Sequence, residues 1–169
     1  NLNERSEQLQ RVGDALKWAS AQLAHIADRP YLEAERLLAA ILQQDRTVLL
    51  AHPEWVLHGK ERQLFRNAVA RRATGVPLPY ILGRVEFRGL EFVVTPDVLI
   101  PRPETELLVE RAVAWLGDHA ARAVVDVGTG SGCIAVSIAA ATALSLRVLA
   151  LDLSEKALSV ARINVLRHA

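Results

Sequence analysis

Three glycines at alternating positions, Gly128, Gly130 and Gly132, follow the apolar run Val124-Val125-Asp126-Val127 and precede the stretch Cys133-Ile134-Ala135-Val136. A backbone without Cβ atoms turns tightly and lets a ligand come within van der Waals distance, and the start of the following helix offers N–H groups that no helical carbonyl accepts. Gly128-Thr129-Gly130-Ser131-Gly132 is therefore a candidate loop for cradling a nucleotide-like ligand. About 20 residues further on, Asp152 sits in Leu151-Asp152-Leu153 at the tip of the next apolar run, where an acid can accept hydrogen bonds from both hydroxyls of a ribose. Each feature also has a plain structural role: the glycines as a bare strand-to-helix turn, and Asp152 as a cap for the helix that starts near Ser154.

Strand, glycine turn, helix, strand and terminal acid in this order point to an adenosine-type cofactor, and two chemistries fit. Read from Gly130, the segment Gly130-Ser131-Gly132-Cys133-Ile134-Ala135 matches the G-x-G-x-x-A form of a dinucleotide fingerprint, which would make the protein a nicotinamide- or flavin-dependent oxidoreductase. That site aims a helix N-terminus at a pyrophosphate. S-adenosylmethionine carries no phosphate and needs only close backbone approach and carboxylate contacts. Cys133 reads as a small buried residue at the helix start rather than a nucleophile, since no histidine is near it in sequence. The five histidines, His25, His52, His58, His119 and His168, show no ligand spacing, so no metal site is expected.

The elements that must hold this loop can be read from periodicity. Ala123 to Val127 predicts a short buried strand, Ser131 to Ala143 a helix, Arg147 to Leu151 a second strand and Ser154 to His168 a helix, the β-α-β-α rhythm of a parallel, doubly wound sheet. Upstream the pattern is helical. Leu9, Val12, Leu16, Ala19, Leu23 and Ile26 form one stripe of a helix from Ser6 to Ala27, and Ala34, Leu37, Leu38, Ile41 and Leu42 mark a second helix packed on it. A short helix over Thr47 to Leu50 and a longer one over Lys60 to Ala73 follow, the latter with Leu64, Phe65, Ala68 and Val69 inward and Gly75 and Pro77 beyond its end. Leu78 to Ile100 reads as a β-hairpin turning at Arg88-Gly89, and Glu104 to Leu116 as a helix after the loop Pro101-Arg102-Pro103. The fold class is thus α/β: a small N-terminal helical bundle, a hairpin linker and the start of a Rossmann-like domain.

Composition narrows the function classes. The 169 residues carry 20 basic and 19 acidic side chains, a formal net charge of +1, so the overall balance implies neither a nucleic-acid partner nor an anionic membrane surface. At 51% hydrophobic and 23% charged residues the chain is neither disordered in composition nor supplied with a membrane-spanning run. The single cysteine allows no intramolecular disulfide, and the N-terminus shows no secretory signal, which fits a cytoplasmic location. With no methionine in the sequence, Asn1 is not expected to be the translated start. Arg62, Arg66, Arg71 and Arg72 form a basic cluster that reads either as a solvated helix face or as a docking patch for a partner.

Longer motifs decide between the two cofactors. Asp126-Val127-Gly128-Thr129-Gly130-Ser131-Gly132-Cys133-Ile134-Ala135 resembles the first motif of class I methyltransferases, including the acid two residues before the first glycine. Gly75-Val76-Pro77-Leu78-Pro79-Tyr80-Ile81-Leu82-Gly83, Phe87-Arg88-Gly89-Leu90-Glu91-Phe92 and Val98-Leu99-Ile100-Pro101-Arg102-Pro103-Glu104-Thr105-Glu106 are similar to the release-factor glutamine methyltransferases, the HemK or PrmC family. The resemblance implies a helical substrate-recognition domain over 1–76, a hairpin linker over 77–100 and the N-terminal part of a cofactor-binding domain over 101–169. It implies S-adenosylmethionine as cofactor, held by Gly128, Thr129, Gly130, Ser131, Gly132 and Asp152. Asp126 would orient the loop or reach the cofactor's amino-acid end, and the Pro101 to Thr105 segment would lie over the pocket. The implied partners are peptide-chain release factors, through which the ribosome could be met, with no direct nucleic-acid or membrane contact. The implied reaction methylates the side-chain amide nitrogen of the glutamine in their Gly-Gly-Gln motif. The family's Asn-Pro-Pro-Tyr motif, which holds that amide, does not occur among the 169 residues, so no catalytic residue is assigned and the chain reads as an N-terminal fragment. Alone it is expected to bind cofactor weakly and to transfer no methyl group; a binding module without chemistry is the remaining alternative.

Overall fold

The structure is a computed structural model that describes residues 9–119, 123–142 and 146–168. It separates into two compact units, residues 1–82 and 83–169.

The first unit is helical. Helix α1 (Val12–Leu23) buries Val12, Ala15, Leu16, Ala19 and Leu23 against Ala34, Leu37 and Leu38 of α2 (Pro30–Leu42). Among the described residues the helix begins at Val12, later than the periodicity of its stripe predicts. Ser6 lies outside the described residues, Leu9 is buried but in a turn, and Arg11 is extended and bridges to Val56. The first free N–H groups of the helix explain the late start: Val12 N–H donates to Trp55 O (2.9 Å) and Gly13 N–H to Pro53 O (2.9 Å), so a crossing loop, not another helical turn, satisfies them. At the other end the helix stops at Leu23, and Ile26, expected in the stripe, is exposed. Pro30 opens α2, where its missing N–H leaves no donor unsatisfied, and Gln43 closes it in the left-handed conformation with its N–H on Ala39 O.

Helix α3 (Arg46–Ala51) is tied to α2 by Arg46 Nε donating to the buried Glu35 carboxylate (2.9 Å). Helix α4 (Gly59–Ala73) starts with a reciprocal cap in which His58 N–H donates to Glu61 Oε2 (2.7 Å). Phe65 and Val69 point into the core, Phe65 against Trp18 at 6.2 Å between ring centroids, while Leu64, expected inward, lies exposed about 100° around the helix from Phe65. Leu78–Leu82 forms a helical turn, α5, rather than the start of a strand. Pro77 O accepts the N–H of Tyr80 (3.0 Å) and Ile81 (3.3 Å), and Leu78, Ile81 and Leu82 join the helical core, so burial overrides the extended reading.

The hairpin is accordingly short. Strands β1 (Arg84–Phe87) and β2 (Leu90–Val93) pair antiparallel with Phe87 opposite Leu90 and Arg84 opposite Val93. The two-residue turn has positive φ at both Arg88 (51°) and Gly89 (74°), the twist that matches paired strands. Arg88 is held there by its N–H on Glu106 Oε1 (3.0 Å), a side chain of α6 (Pro103–Asp118).

Strands β3 (Ala123–Val127) and β4 (Arg147–Leu151) pair parallel and in register, Ala123 with Arg147 through Val127 with Leu151. Helix α7 (Cys133–Ala141) connects them and α8 (Glu155–His168) follows; Ala143, the expected end of α7, lies outside the described residues. Strand alternation puts Val124, Asp126, Val148 and Ala150 toward α7 and leaves Val125, Val127, Leu149 and Leu151 exposed on the opposite face; Val127 is 79% exposed. The α/β class and the parallel β-α-β start expected from the sequence are what the structure has. No helix among the described residues is long and apolar enough to cross a membrane.

Candidate functional site: the glycine loop at the ends of β3 and β4

The loop between β3 and α7 is built by its own conformational demands. Gly128, Gly130 and Gly132 have φ of 77°, 55° and 79°, all left-handed, which a residue with a Cβ adopts only at a strain of about 1 kcal/mol or more. Gly132 carries a second constraint: a Cβ there would lie 3.2 Å from Ala161 Cβ and 3.4 Å from its Cα, because α8 packs directly under the loop. At Gly128 and Gly130 a Cβ would meet nothing within 4 Å. The outer side of the loop is therefore bare backbone facing open space, and the inner side is clamped.

Most of the loop's N–H groups are already used. Gly128 and Thr129 donate to Leu151 O at the end of β4 (2.8 and 2.9 Å), Gly132 donates to Thr129 O (2.8 Å), and Gly130 donates to Asp152 Oδ2 (2.9 Å). Asp152 Oδ1 accepts Ser154 N–H (2.9 Å), and Ser154 Oγ accepts Ala157 N–H (3.2 Å), so the acid and the serine together start α8. The N–H of Ser154, then that of Gly130, hold the Asp152 carboxyl below its usual range, since both hydrogen bonds favour the charged form. Each carboxylate oxygen has taken one backbone bond and keeps acceptor capacity for a further donor.

Of the residues singled out from sequence, Gly128, Thr129, Gly130, Ser131, Gly132 and Asp152 come together at this one edge of the sheet. Their side chains do not play equal parts. Thr129 is buried and its hydroxyl donates to Asp126 Oδ2 (2.7 Å), itself buried, so Asp126 orients the loop from beneath. The Ser131 side chain is likewise buried. Burial pushes the Cys133 thiol up, away from the thiolate a nucleophile needs. Pro103 opens α6 with Thr105 N–H on Arg102 O (3.0 Å). In the helical unit, Arg72 of the basic cluster is no free surface charge: it donates to Glu33 Oε2 (2.6 Å) with both side chains largely buried. No group of His, Cys, Asp and Glu among the described residues could hold a metal ion.

Sequence reasoning passed over Asn164. It is fully buried on α8, accepts Val93 N–H at Oδ1 (2.7 Å), and donates from Nδ2 to Val93 O (2.9 Å) and Ser131 O (2.8 Å). The signal was present in the spacing: Asn164 continues the buried row Ala157, Val160, Ala161, where a polar residue requires partners.

Comparison with known proteins agrees with this anatomy. A family model described as the PrmC N-terminal domain matches residues 14–83, and one described as ribosomal protein L11 methyltransferase (PrmA) matches residues 108–168. A protein of Coxiella burnetii named release factor glutamine methyltransferase is 41% identical over 157 residues, 93% of this chain and 56% of that protein. Proteins of the same name from Nitratidesulfovibrio vulgaris and Bordetella pertussis are 48% identical over 83% and 82% of this chain, and over 47% and 51% of their own length. The chain spans about half the length of the curated relatives it matches. With an N-terminal domain model on the helical unit, a methyltransferase model on the glycine loop and its flanking helices, and such identity running through both, the chain belongs to the PrmC (HemK) family.

Proposed function

We propose that this chain supplies the helical domain and the cofactor loop of an enzyme that methylates the side-chain amide nitrogen of the glutamine in the Gly-Gly-Gln motif of peptide-chain release factors, with S-adenosylmethionine as donor. The observation that carries this reading is the loop itself: bare backbone over Gly128 and Gly130 beside a charged Asp152, in a chain whose relatives are named for that reaction. When bound, the cofactor supplies an electrophilic sulfonium methyl. Gly128 and Gly130 would let its adenosine moiety approach the backbone, and Asp152 would accept from the ribose hydroxyls with the capacity its two backbone bonds leave free. Gly132 and Asp126 would act through the loop's shape rather than by touching the ligand.

The dinucleotide alternative finds less support. A pyrophosphate needs free donors, and the N–H groups of Gly128, Thr129, Gly130 and Gly132 are all taken by protein acceptors, one of them a carboxylate that would repel a phosphate. The acceptor substrate would be a release factor, met in the cytoplasm and on the ribosome where such factors act. Titration of the protein with S-adenosylhomocysteine and separately with NADH tests the cofactor. Saturable binding of the first alone is expected, and binding of NADH alone refutes the assignment. Mass spectrometry of a release factor after incubation with S-adenosylmethionine and the protein at its native length tests the reaction: one added methyl on the Gly-Gly-Gln glutamine is the expected result.

A further inference from the structure

We propose that Asn164 is a positioning residue that ties the β-hairpin to the cofactor loop through one side-chain amide; the inference rests on the cofactor reading above. In the register of the hairpin, Phe87 and Leu90 close the two-residue turn, so Arg84 and Val93 form a pair whose backbone groups do not face each other. Val93 N–H and C=O therefore point away from β1, and the Asn164 amide takes both, as a third strand would. Its second Nδ2 hydrogen reaches Ser131 O, on the residue before Gly132, the N-cap of α7. All three hydrogen bonds come from a side chain with no solvent exposure, so water cannot replace any that is lost.

The geometry also explains why asparagine is needed. One acceptor and two donors are used at once, and leucine, aspartate or threonine cannot present that set from one position. One turn back on the same helix face, Ala161 touches the space a Cβ on Gly132 would fill. Ala161 sets how close the loop sits to α8, and Asn164 sets its orientation. A cofactor that orders the loop thereby orders the Asn164 amide, and with it the outer edge of β2.

Asn164→Asp keeps the shape and the acceptor but removes both donors, leaving an oxygen facing Val93 O and Ser131 O. At pH 7.5, in the protein at its native length, it is expected to bind S-adenosylhomocysteine at least about tenfold more weakly than wild type, the factor associated with losing one buried hydrogen bond. Burial raises the pKa of the new carboxyl, so protonation restores one donor and part of the affinity returns as the pH is lowered toward about 5, a recovery wild type lacks. A second measurement needs no variant: in wild type, S-adenosylhomocysteine should slow amide exchange at Val93 more than at Phe92, whose amide faces β1. Equal affinity of Asn164→Asp and wild type, or ligand-independent exchange at Val93, would overturn the inference while leaving the cofactor assignment intact. Failure of wild type to bind the ligand at all would instead sink the cofactor assignment, and this inference with it.

Discussion

Replacing Gly132 by alanine separates two effects that the loop combines. The new residue must hold φ near 79°, at a strain of about 1–2 kcal/mol, and its Cβ must fit 3.2 Å from Ala161 Cβ, an overpacking of about 1–3 kcal/mol against helix backbone that has little freedom to move. The reduced entropy of the unfolded alanine chain offsets less than about 1 kcal/mol. The net expectation is a loss of about 2–4 kcal/mol in the unit spanning 83–169, which for a unit of this size lowers its melting temperature by roughly 10–25 °C. Gly128→Ala is the control: its φ is 77°, but open space surrounds the added methyl, so only the strain remains and the loss is about 1 kcal/mol. Ala161→Gly in the Gly132→Ala background should recover the packing portion, a favourable coupling of about 1 kcal/mol or more, even though glycine weakens the helix by about 1 kcal/mol. Urea unfolding of wild type, the single variants Gly132→Ala, Gly128→Ala and Ala161→Gly, and the double variant is the assay. If Gly132→Ala is no more damaging than Gly128→Ala, or if the double variant is simply additive, close packing of α8 under the loop is not what fixes glycine at 132.

Asp152 is held in its charged form by Ser154 and Gly130 N–H, so its folded pKa lies below the ordinary value of about 3.9. A depressed carboxyl contributes stability above the unfolded pKa and loses it as the pH falls through the folded one, so cofactor affinity should be flat from pH 8 down to about 4 and weaken only below that; a titration centred near pH 6 would contradict the assignment. Asp152→Asn should weaken S-adenosylhomocysteine binding by about tenfold or more in a calorimetric titration. In the helical unit, Arg72→Ala strands the largely buried Glu33 and should cost about 2 kcal/mol in chemical denaturation, whereas Arg71→Ala on the exposed face should stay within about 0.5 kcal/mol. Cys133, buried with its thiol pushed up, should react with a thiol reagent no faster than the protein unfolds; rapid labelling in native buffer would show that the helix start is more open than the structure has it.

Elements whose hydrophobic period agrees with their tertiary surroundings were legible from the chain alone. The strands at Ala123–Val127 and Arg147–Leu151 lie where expected, because short apolar runs bounded by turn signals have one stable use in a β-α-β unit. The Arg88-Gly89 turn was equally legible, since two residues between apolar runs leave few hairpin geometries. Misreadings occurred where a distant segment competed for the same backbone groups. The predicted helix from Ser6 yields at Arg11 to the loop at Pro53 and Trp55, more than 40 residues away, and the predicted strand at Leu78–Leu82 coils because the helical core offers its apolar side chains a place to bury.

For the candidate site the division is similar. Residue types alone marked the glycines and Asp152, because positive φ, close backbone approach and a carboxylate at a strand tip are local requirements that few residues meet. The sequence therefore determined the class of fold, the family and the place of the loop. Tertiary structure decided which loop N–H groups are already consumed, that Thr129 and Ser131 turn their side chains inward, that Gly132 answers to Ala161, and that Asn164 is built into the loop's support. Those facts depend on which partner lies opposite each polar group. Partners separated by 22, 33 and 71 residues are brought together by packing, and no local pattern in the chain encodes their distance.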